Sequence, residues 1–126
     1  MVSARFLLVS GTILLSFAAL LGFMQHRHRE NAALFATWRL VHAGGTAGAV
    51  QLLALSAVWE ALVGHGLLAS CLAAGIAIST WAFFVGPLSK ALGHETVSMV
   101  INRIGAAVAV PSYLALVGEG VATIAR

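Results

Sequence analysis

The residue with the most chemistry to offer is His42. It stands in the run Trp38-Arg39-Leu40-Val41-His42-Ala43-Gly44-Gly45-Thr46-Ala47-Gly48, at the start of a long apolar stretch. An ionisable ring in such a stretch is costly and marks a functional position with a partner. Two readings stand. The imidazole is either bonded to a backbone carbonyl or a hydroxyl on another helix, or it is a ligand to a metal or haem iron. Helical spacing predicts Gly45, Thr46 and Ala49 on the face of His42, where small residues would let a porphyrin plane lie close to the backbone. The same Gly44-x-x-x-Gly48 and Gly45-x-x-x-Ala49 patterns also permit close helix packing.

Other side chains could complete a site. His94, in Gly93-His94-Glu95, is a candidate second axial ligand or proton donor. Arg103 reads as an interface anchor paired with Glu95, or as a guanidinium whose planar fork holds a carboxylate such as a propionate. Trp81, Phe83 and Phe84 read as packing or as cavity walls, and an aromatic face stabilises a developing cation. Tyr113 is the only tyrosine and the one phenol able to donate a proton. His26 and His28 are interleaved with Arg27 and Arg29, which repel cations, so they read as a solvated cluster; His65 reads as a turn residue. There is no Cys/His set with zinc spacing, no Ser/His/Asp set, no phosphate loop and no carboxylate pair, which argues against hydrolysis and phosphoryl transfer.

The elements that must position these residues follow from composition. Of 126 residues, 60% are hydrophobic and 9% charged, with mean hydropathy +0.98. Soluble domains carry roughly 25% charged residues, so this chain cannot cover a water-facing surface. It reads as all-α: an integral membrane four-helix bundle forming one domain over 1–126. The apolar segments are about 6–24, 40–59, 66–88 and 104–124, each near the ~20 residues that a helix needs to cross a bilayer. Nothing alternates in the manner of barrel strands. The first segment is longer than the ~7–15 residue apolar region of a signal peptide and reads as a span. Residues 32–36 are expected to form a short separate helix along the interface.

Trp38 and Trp59 bracket the second segment and are expected at the two interfaces. Their separation corresponds to about 31 Å at ~1.5 Å per residue, which places His42 one turn, ~6 Å, inside. Pro111 interrupts the fourth segment and frees a carbonyl, for which Ser112 is a candidate partner. The single Cys71 allows no intramolecular disulfide. The net charge of +3 comes from seven basic and four acidic residues at the segment ends, which reads as membrane topology rather than nucleic-acid binding. Arg27, Arg29, Arg39, Lys90 and Arg103 share one side, against Arg5 and Arg126 on the other. The loop-charge rule then puts both termini outside a bacterial-type inner membrane.

The second segment also resembles a known family. Arg39-Leu40-Val41-His42-Ala43-Gly44, running on to Trp59, is similar to the second helix of small four-helix membrane isomerases, styrene oxide isomerase and hydroxylaminobenzene mutase. Trp81, in Ile78-Ser79-Thr80-Trp81-Ala82-Phe83, resembles a Trp-containing segment of the same family. The motif covers about ten residues. It departs where the family has Asn six positions after the histidine, since Gly48 stands there, and Phe83 and Phe84 replace polar residues. The resemblance implies haem b held by His42, with ferric iron as a Lewis acid. It implies isomerisation of a small apolar aryl epoxide to an aldehyde by ring opening and hydride shift, with no net redox change. Substrate-positioning roles carry over to no matched polar residue; by residue type the candidates for catalytic roles are Tyr113, Trp81 and Phe83, and cofactor contacts would fall to His42, Gly45, Thr46, Ala49 and Arg103. It further implies a homo-oligomer, a trimer in the family. Two other readings remain: a bis-histidine haem electron carrier using His42 and His94, and a cofactor-free accessory subunit of a membrane complex.

Overall fold

The computed structural model describes residues 2–125, with Val2 described by its backbone alone; Arg126, counted above among the terminal charges, lies outside them. The described chain is all-α. Four helices follow in order, α1 (Val2–Arg27), α2 (Ala32–Leu62), α3 (Leu67–Ala91) and α4 (Glu95–Ile124). All four are long and apolar enough to cross a membrane.

Two helices outrun their apolar segments. The second runs unbroken from Ala32, so residues 32–36 belong to α2 and form no separate interface helix. Asn31 caps it, its side chain accepting from the Leu34 backbone N–H at 3.1 Å. No breaker lies between Ala36 and Leu40, so charge ends the apolar window without ending the helix. The fourth begins at Glu95, well before Ile104. The turns between α2 and α3 and between α3 and α4 need left-handed backbone, supplied by Gly64 (φ 73°), Gly66 (φ 117°) and Gly93 (φ 89°).

The helices run up and down. One end of the bundle gathers the starts of α1 and α3 with the ends of α2 and α4: Ser3 Oγ lies 3.3 Å from Ser70 Oγ, and Thr123 Oγ1 donates to the Leu62 carbonyl at 3.1 Å. The other end therefore holds Arg27, Arg29, Arg39, Lys90 and His94. There Lys90 Nζ pairs with Glu95 at 3.6 Å, so the partner expected for Arg103 is taken by Lys90.

α2 and α3 form the centre, each touching all of the others, whereas α1 and α4 make no contact among the described residues. Only 11% of the apolar window of α4 is buried inside the chain. Close approach rests on small residues. A Cβ at Gly45 would lie 2.7 Å from Phe84 Cδ2, one at Gly48 2.6 Å from Thr80 Cγ2, and one at Gly105 2.7 Å from the Ala82 Cβ. Gly86 likewise leaves room for the Asn102 amide, and Gly75 for the Ser112 hydroxyl.

Three features go beyond or against the sequence analysis. Trp38 and Trp59, near the two ends of α2, are 3% and 1% exposed and pack into the bundle. Trp38 stacks on His28 with centroids 6.2 Å apart. Their six-turn separation keeps both on the core face of α2, which explains the burial. Ser112 does not serve the Ala107 carbonyl that Pro111 frees; its hydroxyl donates to Val108 O at 2.8 Å. Pro87 lies inside α3, which continues to Ala91.

Overpacking the α3–α4 contact tests this arrangement. Gly105→Val should destabilise the detergent-solubilised protein by about 1–3 kcal/mol. Gly118→Ala, where a Cβ meets nothing within 4 Å, should leave the unfolding midpoint unchanged or raise it slightly, alanine being the better helix former.

Candidate functional site

His42 lies half-buried in the groove between α1 and α2. Its Nδ1 is 2.8 Å from the Ala18 carbonyl oxygen. A carbonyl only accepts, so Nδ1 carries the hydrogen, and in the neutral ring Nε2 holds the lone pair. Gly22, one turn on from Ala18, makes room for the ring: a Cβ there would lie 2.9 Å from Nδ1 and 3.0 Å from Cε1. The sequence left open a carbonyl-bound imidazole or a metal ligand. The geometry supplies the first, in the form that ligating histidines use, with one nitrogen donating to a carbonyl and the other free to bind.

The small residues near His42 do not leave an open face in one chain. Gly45 is buried against Phe84 and Ala18, Ala49 is fully buried, and the Thr46 hydroxyl donates to the His42 carbonyl at 2.8 Å. Helix packing fills the space where a flat cofactor was expected. Gly44 is the open glycine, with nothing within 4 Å of a Cβ. It belongs to the other flank of α2.

On that other flank lies a cleft of about 300 Å³ between α2, α3 and α4, lined by Gly44, Ala47, Gly48, Gln51, Thr80, Phe83 and Tyr113. Gln51 Nε2 donates to the Tyr113 hydroxyl at 2.7 Å. Nine residues at ~100° each put Gln51 half a turn from His42 around α2. Phe83, 47% exposed, forms one wall. The residues expected to act together are therefore divided in one chain: His42 on one flank of α2, Tyr113 and Phe83 on the other.

Trp81 stands in a third place. Its Nε1 donates to Ser10 Oγ at 2.8 Å, and its ring meets Phe17 and Phe84 edge-on at 6.2 Å and 5.9 Å. It binds α3 to α1. Arg103 on α4 and His94, which precedes its first turn, are exposed at the His42 end of the bundle, yet α4 does not reach α1.

Two residues escaped the sequence reading. Gln51 is a lone polar side chain in an apolar run, and its partner lies 62 residues away, so only the fold reveals the pair. Arg39, exposed, sits three residues before His42 and shares its flank; helical spacing alone could have found it. Among the described residues, no group of three His, Cys, Asp or Glu side chains could hold a metal ion. Comparison with known proteins adds no relative: no family model, curated protein or solved structure matches the chain.

Ser10→Ala should leave the half-buried indole N–H of Trp81 without its acceptor. The expected cost is about 1–3 kcal/mol, read as a lowered unfolding midpoint with altered tryptophan emission, while Ser10→Thr should largely restore both.

Proposed function

We propose that this chain is a multi-pass membrane protein that holds haem b through His42 and isomerises a small apolar aryl epoxide to the aldehyde. Four long apolar helices support the membrane reading, and the basic end of the bundle would face the cytoplasm, with both termini outside. The single observation that carries the haem reading is the Nδ1–H bond from His42 to the Ala18 carbonyl. It fixes the tautomer, leaving the Nε2 lone pair as the one that could bind iron.

One protein ligand suits haem better than a bare ion, because a porphyrin brings four nitrogens of its own whereas a structural ion takes several side chains. The residues fit in part. His42 would be the axial ligand, and Arg39, a turn away on the same flank, is better placed than Arg103 to pair with a propionate. Gly45 and Ala49 would act indirectly, by letting α1 and α3 close on α2 and hold the ring still. A bound ferric haem would supply a Lewis acid able to polarise the epoxide oxygen. The resemblance of Arg39–Gly44 to the second helix of styrene oxide isomerase supports the choice of reaction, and an apolar substrate would reach the protein through the bilayer. Because Tyr113 and Phe83 stand on the far flank of α2, any direct role for them at His42 would require a neighbouring copy.

A second reading, a cofactor-free accessory subunit, draws on α4, most of whose apolar surface has no partner within the chain. The carrier reading draws on nothing comparable: His94 caps α4, which barely meets α2, and among the described residues no contact joins it to His42.

The test is a visible spectrum of the purified protein produced with haem supplied. The haem reading expects a Soret band, lost in His42→Ala and kept in His94→Ala, and conversion of styrene oxide to phenylacetaldehyde by gas chromatography. Absence of the band from the wild type overturns it in favour of the accessory subunit. A haem-loaded protein that converts no epoxide overturns the reaction alone.

A further inference from the structure

The cleft between α2, α3 and α4 has chemistry of its own. Gln51 lies within the apolar length of α2, about 20 Å from Trp38 and about 12 Å from Trp59 along the helix. There a polar group needs a partner in the protein. Gln51 finds Tyr113, but the pair is incompletely satisfied. The Tyr113 oxygen accepts from Gln51 Nε2, which leaves its own O–H as a donor. Among the described residues, that hydroxyl donates to nothing. The third polar side chain in the cleft is spent, because Thr80 Oγ1 donates to the Ile76 carbonyl at 2.8 Å. A hydroxyl without an acceptor in apolar surroundings is unfavourable, and a ligand oxygen would satisfy it.

Shape narrows the ligand. Gly44, Ala47 and Gly48 make a flat floor on α2, reaching about 10 Å from Gly44 to Gln51. Phe83 stands beside it, suited to an edge-on or offset aromatic contact. An apolar cavity of ~150 Å³ accepts benzene, so about 300 Å³ admits one substituted ring but not a tetrapyrrole. No formal charge lines the cleft, so the ligand is neutral. Gly44, Ala47, Gln51 and Phe83 are all exposed, so the cleft opens sideways between α2 and α4, on the surface that faces lipid in the membrane reading.

We propose that this cleft binds a small neutral aromatic molecule carrying one carbonyl oxygen, its ring on the Gly44–Gly48 floor and its oxygen accepting from the Tyr113 hydroxyl. The site is separate from His42, half a turn away around α2, and does not depend on haem.

The experiment is a ¹⁹F NMR titration of the full chain in lipid nanodiscs with 4-fluoroacetophenone, and with fluorobenzene as the probe that lacks the oxygen. Empty nanodiscs give the partitioning baseline. The wild type should bind 4-fluoroacetophenone saturably at one site per chain, and fluorobenzene roughly tenfold more weakly, the scale of one hydrogen bond. Tyr113→Phe should weaken 4-fluoroacetophenone by a similar factor and leave fluorobenzene unchanged. Gly44→Leu should abolish binding of both, and its side chain enters open space, so the fold is not strained. A linear response equal to that of empty nanodiscs, or saturable binding unaltered by Gly44→Leu, would overturn the site. Equal wild-type affinity for the two probes would overturn the recognition of oxygen, whether or not Tyr113→Phe folds.

Discussion

Polar groups on four helices long and apolar enough to cross a membrane need partners within the protein, and much of this structure follows from that constraint. Most hydroxyls are satisfied by their own helix: Thr12, Thr37, Thr46, Thr80 and Ser112 each donate to the carbonyl four residues back. Such bonds satisfy a side chain without joining helices. Five side-chain bonds among the described residues do cross between helices: Ser3 with Ser70, His42 with Ala18, Gln51 with Tyr113, Trp81 with Ser10, and Thr123 with Leu62. Two tie the ends of the bundle together. The other three lie within its length, each in a different groove, and each involves a side chain with chemistry to offer.

The division of labour around α2 follows. Its core face, with Trp38, Val41, Gly45, Ala49, Leu52 and Trp59, is buried against its neighbours. One flank meets α1 and holds His42 against a carbonyl. The other meets α3 and reaches toward α4, where it leaves a cleft under Tyr113. The packing explains why the cleft exists. α4 leans on α3 and barely touches α2, while Gly44 and Gly48 remove the side chains that would otherwise fill the gap. Two small sites on opposite flanks of one helix are a different object from the single clustered site that the residue types suggest.

Much of the fold was legible in the sequence. Four apolar runs became four helices because backbone groups in such segments must be satisfied internally, and hydropathy reports that directly. Helix ends were less legible, because Trp38 and Arg39 end an apolar window but not a helix. Of the site, His42 was visible as a polar residue out of place, and a bond to another helix's carbonyl was among its open readings. What fills the glycine face was not visible, since periodicity says that Gly45 and Ala49 share a side but not that Phe84 and Ala18 occupy it. Gln51 could not be paired with Tyr113 without knowing that α4 crosses near α2. That Trp38 and Trp59 turn inward was not visible either, since their spacing places them along α2 without saying which neighbours cover them.

The account turns on the tie between His42 and Ala18, since that bond aims the ring and fixes its tautomer. Magic-angle-spinning NMR on protein in lipid, labelled with ¹⁵N-histidine and ¹³C′-alanine, measures it. The account predicts a protonated Nδ1, an unprotonated Nε2 and a dipolar contact from Nδ1 to the Ala18 carbonyl carbon, removed by Ala18→Val with the unlabelled residue. A His42 ring protonated at Nε2 alone, or an Nδ1 with no carbonyl in contact, would contradict it.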